Sequence, residues 1–312
     1  MKLIKQSFEI LEQKDFSLIG IKKFIERCGR VCYKSEDRIT DDSYEKFVDM
    51  LEKRDHARPL EFGTVHLKMP LETFNNLAGI CTSKGIWNSC WIHYNIDRES
   101  KNKMVYITTN YRYYKKLKAS KLLYEYPEYP DVKRYFTEED NELYPKRYTV
   151  HFIISRGVMD EFRTHVSLSH LAESTRYCNY SKDKFDSQIT FIQPSWITLN
   201  KEITPNNELC LLAGQYNREN PNLRYLASLV DANYTYVSLL NKGWTPQQAR
   251  DVLPLSIKSE LISCGFKDAW NNFFYRRCAN DAHPMAREVA IPLQDKFNEL
   301  GYISNNLVGT SS

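Results

Sequence analysis

No run of about 18 apolar residues occurs in the chain, which argues against a membrane-spanning helix. The opening residues Met1-Lys2-Leu3-Ile4-Lys5-Gln6 hold no apolar signal core, so the expected compartment is the cytoplasm. No Gly-x-Gly-x-x-Gly follows a strand, no Gly-x-x-x-x-Gly-Lys loop is present, and no Gly-x-Ser-x-Gly elbow appears. These gaps argue against Rossmann-type dinucleotide binding and P-loop chemistry. The eight cysteines (Cys28, Cys32, Cys81, Cys90, Cys178, Cys210, Cys264, Cys278) form no Cys-x-x-Cys pair, and the seven histidines lack zinc-ligand spacing. No metal is expected, and the cysteines are read as reduced thiols, mostly core; Cys28 and Cys32 stand one helical turn apart. The net charge of +4 is too small for a nucleic-acid coat. Lys115-Lys116-Leu117-Lys118 reads as a solvated face rather than a phosphate site. Internal repeats, low-complexity blocks and clear linkers are also missing.

What is present is the composition of a soluble globular protein: 312 residues, 42% hydrophobic and 26% charged, with aromatics raised to 13% by 21 tyrosines. Apolar positions Phe16, Ile19, Phe24, Ile25, Cys28 and Val31 predict an amphipathic helix over 16–32. Asp41-Asp42-Ser43 offers caps for a second helix through Leu51. Val65, Leu67 and Met69 alternate in a strand from Gly63; 71–90 reads as helical and 104–114 as extended. The stretch 119–147, rich in Tyr, Pro and Glu, resembles an insertion. Tyr148 to Ser155 reads as a strand, followed by helical spacing at Val158, Phe162, His165 and Ser169. A polar, mostly extended stretch runs from Cys178 to about Asn207. The C-terminal third reads as helical: a capping box at Thr245-Pro246-Gln247-Gln248, then helices near 268–280 and 285–300, with Pro292 expected to kink or interrupt the last. The tail 301–312 is expected to fray. One mixed α/β domain over 1–312 is the economical reading.

The stretch with most chemistry in it is Glu173-Ser174-Thr175-Arg176. Two hydroxyls and a guanidinium within three residues can bond a phosphate, the arginine fork taking two oxygens at once. The commoner reading of such a cluster is a capped helix end with a surface arginine.

Ordered segments along the chain resemble the flavin-dependent thymidylate synthases, the ThyX family. That family's signature is Arg-His-Arg, seven residues, Ser, and Arg two further on; here the register gives Thr164-His165-Val166, seven residues, Ser174 and Arg176. Arg156-Gly157-Val158, Glu161, Ser169, Glu173 to Cys178 and Asn179 to Phe185 look like the family around it. Cys32 to Asp37, His56 to Glu61, Gln248 to Pro254 and Arg277 to Pro284 carry the likeness outward. The resemblance implies an α/β fold with a central sheet flanked by helices, assembled as a homotetramer with interfacial sites. It implies C5 methylation of dUMP from methylene-tetrahydrofolate, with hydride from FAD recharged by NADPH. Pyrimidine nucleotide and folate are the expected partners, with no nucleic acid and no membrane.

Carried over by position, Glu161, Glu173, Ser174, Thr175, Arg176, Arg250 and Arg277 match the nucleotide site, with Ser174 and Arg250 as the catalytic candidates. His56, His165 and Asn272 match the cofactor pocket. The departures fall mostly on positions facing the flavin. Thr164 and Val166 stand where the triplet has arginines, Phe62 replaces a His, Cys264-Gly265-Phe266 replaces Thr-x-Asn, and Asp268 falls where an Arg is common. Arg163 is no plain substitute for Thr164, since helix neighbours point about 100° apart. Arg163, His170 or Lys267 could hold the cofactor instead. Three functions follow: a working thymidylate synthase, a paralogue transferring a hydroxymethyl group without flavin, or a non-catalytic nucleotide-binding subunit.

Overall fold

The computed structural model describes residues 1–99, 102–119, 129–174, 180, 189–197 and 220–303. Its first sheet is built around β7 (Arg147–Ser155), where Val150, Phe152 and Ile154 alternate inward and are fully buried. β10 (Lys258–Phe266) lies antiparallel along the whole of β7, with β8 (Ser169–Ala172) on its other side. β2 (Ser7–Leu11) pairs with the opposite edge of β7, giving the order β2-β7-β10-β8. The core under this sheet is aromatic: Phe152, Phe162, Trp270, Phe273, Phe274 and Phe297 pack at ring separations of 4.7–6.4 Å. Helices α5 (Arg156–Phe162), α8 (Lys267–Arg277) and α9 (Pro284–Glu299) supply the other wall.

The second sheet has the order β4-β5-β3-β6, from β4 (Ile92–Ile96), β5 (Met104–Asn110), β3 (Thr64–Pro70) and β6 (Phe136–Thr137). Helices α2 (Ser43–Lys53), α3 (Leu71–Ser83) and α4 (Tyr111–Ala119) belong with it. Helix α1 (Leu18–Tyr33) joins the two halves by burying two faces. Ile21 and Ile25 enter the core of the second sheet, while Phe24, Cys28 and Val31 meet Leu171, Ile262 and Cys264 of the first. Each such buried aliphatic side chain contributes roughly 1.5–3 kcal/mol. A third cluster joins β1 (Lys2–Ile4) and β9 (Thr190–Ile192), paired in parallel, to α6 (Pro221–Asn241) and α7 (Pro246–Ala249).

The fold is mixed α/β, as expected. Between the C-terminal helices it adds β10, a strand the hydropathy pattern did not announce. The helical spacing through Ser169 breaks at Phe162, because residues 169–172 are recruited to the edge of β10. Helix α3 stops at Ser83, and the extended stretch from 104 turns into α4 where the Asn110 side chain accepts the Tyr113 N–H at 2.8 Å. Asp42 makes no side-chain cap; Ser43 instead accepts the Thr40 N–H at 2.9 Å. The box at α7 forms, Thr245 N–H donating to Gln248 Oε1 at 2.9 Å. Pro292 does not interrupt α9, which continues to Glu299. The described part of 119–147 is woven into the second sheet: Tyr129 and Val132 are buried in its core and β6 pairs with β3. The six described cysteines are free, with Cys28, Cys81 and Cys264 buried. Most of the stretch from Cys178 to Asn207 and the tail beyond 303 lie outside the described residues. Among the described residues no helix is long and apolar enough to cross a membrane.

Candidate active site

Ser155 caps α5 by accepting the Val158 N–H at 3.2 Å, and the backbone of Arg156 and Gly157 is tied to Ile257 and Leu255. This fixes the start of α5 against the end of β10. The helix then unwinds through two tight turns, His165 N–H donating to Phe162 O and Leu168 N–H to His165 O. Into this turn reaches Arg277 from the last turn of α8. Its Nε donates to His165 Nε2 at 2.9 Å, its Nη1 to Glu161 Oε2 at 2.8 Å, and its Nη2 to Glu161 O at 2.8 Å and Thr164 Oγ1 at 2.9 Å. The guanidinium is therefore committed within its own chain. Because His165 Nε2 accepts, the imidazole proton sits on Nδ1. Burial, then the charges of Arg277 and Arg276, push His165 down to about 4, so it is neutral at physiological pH. It is 4% exposed and packs on Phe273 at 5.1 Å. Val166 beside it is 91% exposed.

A second group gathers where β8 ends. Glu173 N–H donates to Glu260 O at 2.8 Å and Ser174 N–H to Cys32 O at 3.3 Å, so both residues are pinned by backbone. The buried Glu173 carboxylate accepts from Lys258 Nζ at 2.9 Å and from Tyr180 Oη at 3.0 Å. Lys258 and Lys34 both donate to Glu260 Oε1, while His151 Nε2 donates to Glu260 Oε2 at 2.9 Å. Burial alone would raise Glu260; the His151 bond and the Lys258 and Lys34 ammoniums outweigh it and hold the carboxyl far below the usual range. Burial likewise opposes the Lys34 charge, yet Glu260 and Glu173 hold that ammonium above its ordinary value. Lys34, at φ 48°, closes α1 in the left-handed region.

A third group surrounds Glu61, which is fully buried. Its carboxylate accepts from Ser169 Oγ at 2.5 Å, Arg112 Nη1 at 2.6 Å and Arg58 Nη1 at 3.3 Å, and its carbonyl from Arg147 Nη2 at 2.7 Å. His170, next to Ser169, donates from Nε2 to His165 O at 3.0 Å and accepts from Ser263 Oγ at 2.9 Å. Phe62, at the lost His position, is buried between α1 and the first sheet. Phe266 stacks on His93 at 3.9 Å, with the Arg147 guanidinium 5.7 Å from its ring centre.

Of the residues singled out in the sequence, Glu161, His165 and Arg277 come together, and Glu173 and Ser174 share one anchored strand end. Arg250 lies on the short turn after α7, beside Asp251 at 3.7 Å. His56 is exposed, with Nδ1 3.1 Å from the Tyr33 hydroxyl, and Asn272 and Lys267 are exposed on α8. Thr175, Arg176 and Cys178 lie outside the described residues. Sequence reasoning missed the Lys34–Lys258–Glu260–His151 network and the ligation of Glu61. The one available signal was Lys258-Ser259-Glu260, two charges on one strand face leading into an apolar run.

Residues 146–300 match the family described as thymidylate synthase complementing protein, Thy1. This stretch of the chain is a divergent match to that family. No curated protein matches the chain. Among solved structures it is similar to the UMP/dUMP methylase PolB from Streptomyces cacaoi bound with 5-Br dUMP, at 14% identity and TM-score 0.40 over 96% of this chain and 93% of that one. The same methylase bound with 5-Br UMP gives 14% and 0.41, covering 96% and 92%. Thymidylate Synthase X from Helicobacter pylori with FAD and dUMP gives 20% and 0.35, covering 50% of this chain and 71% of that one.

A flavin dinucleotide needs cations or free N–H donors against its pyrophosphate. The triplet positions do not fit that need. Thr164 Oγ1 donates to Glu161 O at 2.7 Å and accepts from Arg277; His165 is buried and neutral; Val166 is apolar.

Proposed function

We propose that the protein binds a pyrimidine 5′-nucleotide, dUMP in the first instance, and transfers a one-carbon unit from methylene-tetrahydrofolate to C5. The observation that carries this reading is the anchoring of Glu173-Ser174. The family match brings the substrate class, and the Glu173 N–H bond to Glu260 O and the Ser174 N–H bond to Cys32 O pin the main chain just past the end of β8, where Ser174 is half-buried. A main chain fixed in advance lowers the cost of presenting a side chain to a substrate. Arg176, Thr175, Arg250 and Glu161 are the further nucleotide contacts in this reading, and His56 and Asn272 the cofactor contacts. FAD and NADPH are the hydride source it takes from the family.

The transfer itself needs no hydride. The C5–H bond breaks, C5 bonds the methylene carbon, and the folate N–CH₂ bond breaks. Addition of water to that carbon leaves a hydroxymethyl group and tetrahydrofolate; addition of hydride leaves a methyl group. The misfit at Thr164 and Val166 favours the first ending as a second reading. The assay is tritium release from C5-labelled dUMP with methylene-tetrahydrofolate, with and without FAD and NADPH, followed by mass analysis of the product. Folate-dependent release is expected, reduced at least tenfold in Ser174→Ala. A product 30 Da heavier than dUMP assigns the hydroxymethyl ending, and one 14 Da heavier the methyl ending. No release from dUMP, UMP or dCMP in any mixture refutes the proposal and leaves nucleotide binding without turnover.

A further inference from the structure

We infer that the anion-binding charge of this protein has moved out of the motif triplet, and that Arg58, Arg112 and Arg163, gathered around Glu61 and His170, form a subsite for a phosphate oxyanion of the pyrophosphate type. The geometry is a connected path. Arg58 and Arg112 hold opposite oxygens of the Glu61 carboxylate, at 3.3 and 2.6 Å, and Ser169 donates to the first of these at 2.5 Å. The next residue, His170, donates to the His165 carbonyl at 3.0 Å, and Arg163 stands two residues before His165 at the end of α5. Arg163 and Arg58 are also the two cations that act most on His170, an imidazole pushed down to about 4 first by burial.

The charge count around this path is uneven. Glu61 faces both Arg58 and Arg112, while Asp160, 3.7 Å from Arg163, is shared with Arg156 at 3.4 Å. Two carboxylates thus meet four guanidiniums. His170 adds no charge and offers no spare donor, since both ring nitrogens are committed. The guanidiniums are reachable: the side chains of Arg58, Arg163 and Arg112 are 59%, 48% and 39% exposed. Each has five N–H donors, and among the described residues Arg58 and Arg112 each give one hydrogen bond to Glu61. Glu61 aims these forks without neutralising them, which is how a buried carboxylate preorganises arginines for a second anion. Arg112 lies 5.1 Å from the ring centre of Trp91, which makes that indole a reporter of what the fork binds.

The test uses the full chain and inorganic pyrophosphate, followed by titration calorimetry and by tryptophan fluorescence. Saturable, salt-sensitive binding is expected, weakened about tenfold by Arg58→Ala and by Arg163→Ala, and further in the pair. Arg58→Lys and Arg163→Lys should each keep part of the affinity, which separates charge from folding; all variants should keep the wild-type circular dichroism. A wild-type protein that ignores pyrophosphate, or a double variant that binds as well as wild type, overturns the subsite. Competition identifies the natural source. Displacement by FAD or ADP assigns the subsite to a dinucleotide, and displacement by dUMP alone assigns it to the substrate phosphate. Displacement by none of them overturns it. Binding of pyrophosphate is read without turnover, so this result is independent of C5 transfer.

Discussion

At the residue scale, Arg277 decides how Thr164-His165-Val166 should be understood. A nucleotide-binding arginine keeps its fork open, whereas this one answers Glu161, His165 and Thr164 with four bonds. Thr164, in a place where the family has a cation, accepts one of them; an arginine there would present a second guanidinium to the first. Thr164 thus accepts the fork of Arg277 where a second guanidinium would oppose it. Arg277→Gln should cost about 2 kcal/mol of stability, since charge-assisted bonds are lost and Glu161 is left partly buried. It should also raise the pKa of His165, because the Arg277 charge is the second cause of its depression after burial. Urea unfolding reads the first effect and an NMR titration of the imidazole the second. An unchanged His165 titration would show that burial alone sets it.

At the element scale, α1 is the piece on which both halves depend, and Gly63 is where it fits. A Cβ on Gly63 would stand 2.8 Å from Ile21 Cγ2 and 2.8 Å from Ile25 Cδ1, both fully buried. Gly63→Ala should destabilise by roughly 1–3 kcal/mol through overpacking. Gly79, exposed on α3 with nothing within 4 Å of an added Cβ, is the matched control. Gly79→Ala should stabilise by about 0.5–1 kcal/mol through helix propensity. Thermal melts of both variants check the pair, and equal shifts would contradict the close approach. The same helix shows what could be read in advance. Its apolar period is local, and so are the alternation of β3 and β7 and the box at α7. β10 was not legible because its environment is set by β7 and β8, from which it is far in sequence. Ser259, Glu260 and Ser263 are buried there as polar residues satisfied by partners elsewhere, so no alternation survives. The candidate site divides in the same way. The spacing of Glu161, His165 and Ser174 is written along one stretch, but the ligation of Glu61 by Arg112 and Ser169 joins three distant segments.

At the scale of the whole molecule, two properties follow from surface and charge. Val166 and Tyr275, near the Arg277 turn, are 91% and 69% exposed. We propose that the chain forms the homotetramer its resemblance implies, with Val166 in an interface; light scattering should then read four times 36.8 kDa, and Val166→Lys should lower that mass. A monomeric wild type would sink this expectation. The second property is sensitivity to acid. His66, His165 and His170 are each held at about 4, below the ordinary 6.5, chiefly by burial. His66 lies between the rings of Phe16 and Tyr144 at 4.4 and 4.1 Å, with no room to hydrate a charge. The folded chain keeps all three neutral, while the unfolded chain protonates them below 6.5. Their contribution is whole above that pH and is lost as pH falls through 4. Each pKa unit is worth about 1.4 kcal/mol, so the three together amount to several kcal/mol, a large part of an ordinary folding free energy. Glu260 adds a later loss of the same sign. Its carboxyl is held far below 4.5 by His151, Lys258 and Lys34 despite burial, so its contribution fades only in more acid solution. Urea midpoints should therefore drop clearly between pH 7 and pH 5 and again below pH 4.5, with the slope against urea unchanged. A midpoint that holds steady from pH 7 to pH 5 would mean that these imidazoles meet water in the folded protein.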